Sequence, residues 1–199
     1  MPSRRRLTPE QRRDELLDIG EQVFGERAYD DIAMEEIAAR AEVSRALMYH
    51  YFPTKGRFFA AIWQRAHDRL SAELHLEPGR PVRTAVYAAL TAHLDFYRAH
   101  LPLVLIANRS ALATDPAVRD PVIADLHALC EQILDACAAT GHRRDLAGTA
   151  LRGWIAFIRE VTIEWLAHEH ISRDEVLRMC MATLDATAGA QLDLTAPPG

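Results

Sequence analysis

The chain has 199 residues, 49% of them hydrophobic, and a formal net charge of −5. That is enough apolar material for a substantial core in one or two domains. No uncharged apolar run approaches the ~18 residues of a membrane span, and the N-terminus lacks the apolar segment of a signal peptide, so a cytoplasmic location is expected. Three cysteines, Cys130, Cys137 and Cys180, form no CxxC pair and read as buried thiols.

The net charge hides an asymmetry. Residues 1–13 carry five Arg against one Glu, and residues 40–57 carry Arg40, Arg45, Lys55 and Arg57 against Glu42. Residues 58–199 are acidic on balance, with 13 basic and 17 acidic side chains. A local basic surface is what a nucleic-acid binder needs, although terminal Arg clusters are also common solubilising tails. Lys55 is the only lysine in the chain.

Strand signals are nearly absent, and the predicted class is all-α. Thr8-Pro9-Glu10-Gln11 starts a first helix, with Thr as N-cap, Pro at N1 and Gln at N3. Leu16, Gly20, Val23 and Phe24 recur along it at helical spacing. A short second helix is predicted at about 33–40, and Ser44 caps a third over 45–51. Pro53 ends that one, and Thr54 caps a fourth over 55–75. "LEPGRP" (76–81) breaks the pattern and marks a domain boundary. Further helices are predicted at about 82–99, 102–112, 118–139, 145–169 and 173–188, with Gly141 as a stop and Ser172–Glu175 as a capping box. The sum is nine helices: a helix-turn-helix domain at 8–54, a connecting helix at 55–75, a larger helical domain at 80–189, and flexible tails at 1–7 and 190–199.

Residues 33–52 carry the functional signal. Two short helices joined by about three residues have the arithmetic of a helix-turn-helix, whose second helix enters the major groove. Val43, Met48 and Phe52 fall on the side facing the first helix, whereas Arg45, Ala46 and His50 point outward. Small Ala46 permits close approach of the backbone to DNA. Arg45 suits a bidentate pair with guanine, His50 a base edge or phosphate, and Leu47 a thymine methyl. Tyr49 and Tyr51 offer phenolic donors to phosphates, Ser44 starts the same surface, and Lys55 adds a point charge at a helix start. From the residues alone, a plain helical connection explains the same pattern.

Residues 10–62 resemble the DNA-binding domain of the tetracycline-repressor-like (TetR) family of transcriptional regulators. Phe24 closes helix one, Tyr29 follows the loop, and Ile37-Ala38 lie in helix two. Val43-Ser44 form the turn, Tyr49, Tyr51 and Phe52 follow, and Lys55 opens helix four. The chain departs from the usual pattern at Ala28 and Glu42, where Gly is usual, and at Ala33, where a capping Ser or Thr is usual. Leu47 and Gly56 also differ, replacing a common Thr and Glu. The resemblance implies a homodimer on a double-stranded DNA operator, with C-terminal helices that bind a small-molecule effector and pair two subunits. It also implies release by the effector, repression before activation, and no cofactor, with an effector-independent DNA-binding dimer or an activator as the alternative.

Within the C-terminal region, Tyr87, His93, Phe96, Tyr97, Trp154, Phe157 and Glu160 are the candidate ligand-lining residues, each of a type that also serves a core. Leu151, Ile155, Ile158 and Trp165 of the 145–169 segment, with Val176, Cys180 and Leu184 of the last helix, are the candidate dimer interface. Burial of both faces within one subunit is the alternative. No HExxH, paired-Cys zinc spacing, GxSxG or P-loop motif occurs, so neither a metal site nor an enzyme is expected.

Overall fold

A computed structural model describes residues 7–72 and 76–198. Among them lie nine α-helices, two short 3₁₀ turns and no strand. The helices are α1 (Pro9–Glu26), α2 (Met34–Arg40), α3 (Arg45–Tyr51), α4 (Lys55–Ser71), α5 (Val82–Ala99), α6 (Leu101–Arg109), α7 (Pro116–Ala136), α8 (Gly141–His168) and α9 (Arg173–Ala186). The 3₁₀ turns are Tyr29–Asp31 and Ala111–Thr114. Of the fourth helix's expected span, residues 73–75 lie outside the described residues.

The described residues fall into two compact units. One runs through Ala66 and takes in Pro102–Asp120; the other holds His67–Leu101 and everything from Pro121 onward. The chain passes between the units within α4, and most of α6 and the start of α7 group with the N-terminal helices. The reason is local packing. Leu112 and Asp115 stand against the start of α4, 3.6 Å from where a Cβ on Gly56 would sit.

The first unit begins as its sequence dictates. The Thr8 hydroxyl accepts from Gln11 N, and the Gln11 side chain accepts from Thr8 N, which satisfies two open donors of α1. Its core is aromatic. Phe24, Phe58 and Phe59 are fully buried, and the Phe24 and Phe59 rings meet edge to face at 5.4 Å. Gly20 lets α1 and α4 approach, since a Cβ there would lie 2.3 Å from Phe58 Cζ. Arg65 of α4 then pairs with Asp18 and Glu21 of α1, each at 2.8 Å.

The second unit packs Val86, Leu90 and Leu94 of α5, Cys130 and Leu134 of α7, Leu151 and Trp154 of α8, and Val176, Cys180 and Leu184 of α9 into one core. The Trp154 indole donates to the Cys180 carbonyl at 2.7 Å, so even its polar atom is satisfied inside. Ser172 and Glu175 cap α9 reciprocally. Gly141 starts α8 instead of stopping a helix: α7 ends at Ala136, and Ala138 takes the left-handed turn at φ 48°.

The expectation of a flexible tail over 190–199 is also corrected for the described part. Leu192 and Leu194 are buried. The Val82 and Arg83 amides donate to the Ala196 and Leu194 carbonyls at 3.1 and 2.8 Å, which satisfies open donors in the first turn of α5. Residues 1–6 and 199, the remainder of the expected tails, lie outside the described residues.

Candidate nucleic-acid interface

The turn between α2 and α3 is built from backbone. Val43 N reaches the Ala38 carbonyl at 2.9 Å and Glu42 N the Ala39 carbonyl at 3.1 Å, the pairing of a Schellman turn. That closure puts Glu42 at φ 51°, in the left-handed region where a side chain costs about 1–2 kcal/mol. Ser44 Oγ then accepts from Leu47 N at 3.1 Å and starts α3. Ala33 holds the N-cap position of α2 with extended backbone but offers no side-chain acceptor.

Along α3 the two faces separate cleanly. Met48 and, just after the helix, Phe52 are buried, while Val43 is half-buried. Arg45, Ala46 and His50 are exposed, with Leu47, Tyr49 and Tyr51 half-buried beside them. Arg13 of α1 adds a further exposed guanidinium, 5.5 Å from the Phe52 ring centre. The outward row is therefore cationic at Arg45, small at Ala46 and capable of hydrogen bonding at His50. It stands on a helix whose other side is fixed in a core.

The sequence gives no sign of Glu35. Its Oε1 lies 3.1 Å from Arg45 Nε and accepts from the Tyr49 hydroxyl at 3.2 Å, while the Arg45 guanidinium sits over the Tyr49 ring at 5.4 Å. These three residues come from two helices at separations of 10 and 14 positions, which no local spacing rule connects.

Lys55, expected to contact a phosphate, also has partners within the chain. Its ammonium donates to the Tyr29 carbonyl at 2.7 Å and the Ile32 carbonyl at 3.0 Å, and lies 4.2 Å from the Tyr29 ring centre. Two carbonyls and a ring face converge on one point, which suits a compact cation better than a planar guanidinium. The lone lysine thus clamps the turn that leads into α2. Burial, with Asp30 and Asp115 nearby, raises the Tyr29 phenol above its ordinary range.

In the second unit the candidate residues disperse. His93 and Tyr97 come together, with ring centres 4.0 Å apart, and Phe96 contacts His100 at 4.7 Å. Trp154 belongs to the core, and Glu160 and Tyr87 are exposed, so these three do not line a common interior site. Tyr87 instead edges a groove of about 600 Å³ with Arg83, Leu177 and Arg178. Phe157 is half-buried against the core. The Nε2 of His93 is fully covered and has no hydrogen-bond partner, although another part of the residue reaches the surface. Burial, followed by the neighbouring His67, lowers the His93 pKa to about 3 and leaves it neutral.

The candidate interface residues lie largely in the core. Leu151, Ile158, Trp165, Val176, Cys180 and Leu184 are buried in the unit's own core, and Ile155 is half-buried against it. The wide apolar arc of α8 is covered from within the chain. The residues left outside are others: Leu146 and Met179 are exposed, Gly153 is exposed, and Ala150 is half-buried.

Residues 16–62 match the model of the "Bacterial regulatory proteins, tetR family", a span that begins within α1 and ends in α4. Over 132 residues the chain is 30% identical to the HTH-type transcriptional activator FasR of Mycolicibacterium smegmatis, covering 65% of this chain and 60% of that one. It spans about 60% of the length of the first curated relatives it matches. A tetR-family transcriptional regulator from Streptomyces coelicolor superposes with a TM-score of 0.77 at 26% identity, over 92% of this chain and 85% of that chain. The fatty acid degradation regulator FadR from Bacillus halodurans shares the fold, with a TM-score of 0.66 at 16% identity over 89% and 97% of the two chains. The chain belongs to the TetR family of bacterial regulatory proteins.

Proposed function

We propose that this chain regulates transcription by laying α3 in the major groove of duplex DNA. The observation that carries the reading is the exposed row Arg45, Ala46, His50, held on a helix anchored by buried Met48 and Phe52. Ser44, Leu47 and Tyr51 flank that row and supply thymine and phosphate contacts, while Tyr49 lies under Arg45. Two copies read two half-sites about 34–36 Å apart, which makes the operator a palindrome. The copies pair through the outward faces of α8 and α9, where Leu146, Ala150 and Gly153 recur at helical spacing on α8 and Met179 is exposed on α9. Small residues on that stripe permit close helix approach.

A small molecule bound in the second unit shifts the equilibrium between a DNA-competent arrangement and a released one, with coupling of about 1–3 kcal/mol. The covered, unpartnered Nε2 of His93 supports a ligand-anchoring role there. Helix α4, which carries the chain from one unit into the next, is the mechanical link. Occupying a promoter represses without further contacts, and repression is the sign proposed. A reporter assay reads that sign directly.

Selection from a random duplex library tests the reading. Enrichment of a palindromic motif is expected, with light scattering giving twice the 22.3 kDa chain mass. A library that emerges unenriched contradicts it.

A further inference from the structure

Glu35 stands where no DNA-binding surface needs a negative charge. It is exposed, it lies beside the row proposed to meet DNA, and its carboxylate repels phosphate. An exposed ion pair contributes little to folding, so stability does not explain it. Its geometry does: one carboxylate oxygen engages both Arg45 Nε and the Tyr49 hydroxyl, at 3.1 and 3.2 Å. Arg45 and Tyr49 are one i,i+4 step apart on α3, and the guanidinium lies over the phenol ring. A long side chain that is 73% exposed is thereby held on two sides: by a ring of its own helix and by a carboxylate from α2.

Two consequences follow for recognition. The contact occupies the Nε edge of the guanidinium, which leaves the Nη1–Nη2 end as the fork presented to a base. Fixing that fork before binding also removes part of the ordering cost that a free arginine incurs. The carboxylate meanwhile neutralises Arg45 toward the sugar-phosphate backbone, which weakens binding to duplexes that offer no matching base.

We infer that Glu35 is a positioning residue for sequence selectivity, aiming Arg45 at a base edge and lowering affinity for indiscriminate DNA. The inference rests on the proposed placement of α3 in the groove. It assigns to α2 a part in base choice without any base contact of its own.

The experiment compares wild type, E35A, E35Q and R45A. Each is taken through selection from a random duplex library, then titrated against the wild-type-selected duplex and a scrambled duplex. E35A is expected to flatten base preference at the position that R45A flattens. Its ratio of selected to scrambled affinity falls about tenfold, while its affinity for the scrambled duplex rises. E35Q falls between E35A and wild type, and all four proteins keep the same melting temperature to within the spread of an exposed substitution. Full preference in E35A alongside its loss in R45A overturns the positioning role while leaving the recognition helix in place. Full preference in R45A as well overturns both, since Arg45 then reads no base.

Discussion

Lys55 and Tyr29 are joined twice, by a hydrogen bond from the ammonium to the tyrosine carbonyl at 2.7 Å and by the ammonium lying 4.2 Å from the ring centre. The Ile32 carbonyl, at 3.0 Å, completes the grip. The start of α4 is thus fastened to both ends of the turn that delivers the chain into α2, and α2 in turn positions α3.

Substituting Lys55→Met keeps the stem and removes the donors. It is expected to destabilise the protein by about 1–3 kcal/mol, the cost of leaving buried polar groups without partners. Lys55→Arg should recover only part of this, because a planar fork does not fit two carbonyls beneath a ring. Urea unfolding of the three proteins checks the order; equal midpoints contradict the clamp.

Glu42 sits at φ 51° in a Schellman turn. Replacing it with glycine removes the left-handed penalty and is expected to stabilise the chain by about 1 kcal/mol. For a chain of this size that raises the melting temperature by about 2–4 °C. A lower melting temperature for Glu42→Gly would show that interactions of the carboxylate outweigh the backbone cost.

How much of this was legible in the sequence depends on the range of the interactions involved. The caps at Thr8, Ser44 and Ser172 act over three residues, so the starts of α1, α3 and α9 are readable, and α3 runs over the expected 45–51. The outward set Arg45, Ala46 and His50 follows from helical periodicity alone. The intrachain partners of Lys55 are not legible, because they lie 23 and 26 positions away. The cover of α8 is not legible for a related reason: an apolar arc reads the same whether its cover is a second subunit or α5, α7 and α9 of the same chain. Leu192 and Leu194 lie in a polar, proline-bearing tail where only tertiary packing reveals their burial.

Trp154, a candidate ligand contact, gives a test of its place in the core. Its indole N–H donates to the Cys180 carbonyl at 2.7 Å within the core. Trp154→Phe loses this bond and part of the ring volume, and is expected to cost about 1–3 kcal/mol in thermal or urea unfolding. Unchanged stability would return Trp154 to the list of ligand contacts.

Stability should fall with acid in a definite window. Burial holds the His93 imidazole down to about 3, and lowers His67 as well despite Asp125 and Asp68 beside it. An unfolded imidazole takes up a proton near pH 6.5. Below that pH the unfolded chain binds more protons than the folded one, so this contribution is complete above about 6.5 and is lost as pH drops toward 3. The slope reaches at most about 1.4 kcal/mol per pH unit for each histidine. Urea midpoints at pH 7.5, 6 and 5 should decline in order, and His93→Phe should flatten the decline. Midpoints constant across that range contradict the burial of neutral imidazole.

The central claim is that α3 occupies the major groove, and chemical protection of a selected duplex by dimethyl sulfate tests it most directly. The reagent methylates guanine N7 in the major groove and adenine N3 in the minor groove, so it reports which groove is covered. The account predicts guanine N7 protection in two half-sites about one helical turn apart, with one guanine in each half-site deprotected in Arg45→Ala. Protection confined to adenine N3, with every guanine N7 open, would contradict it.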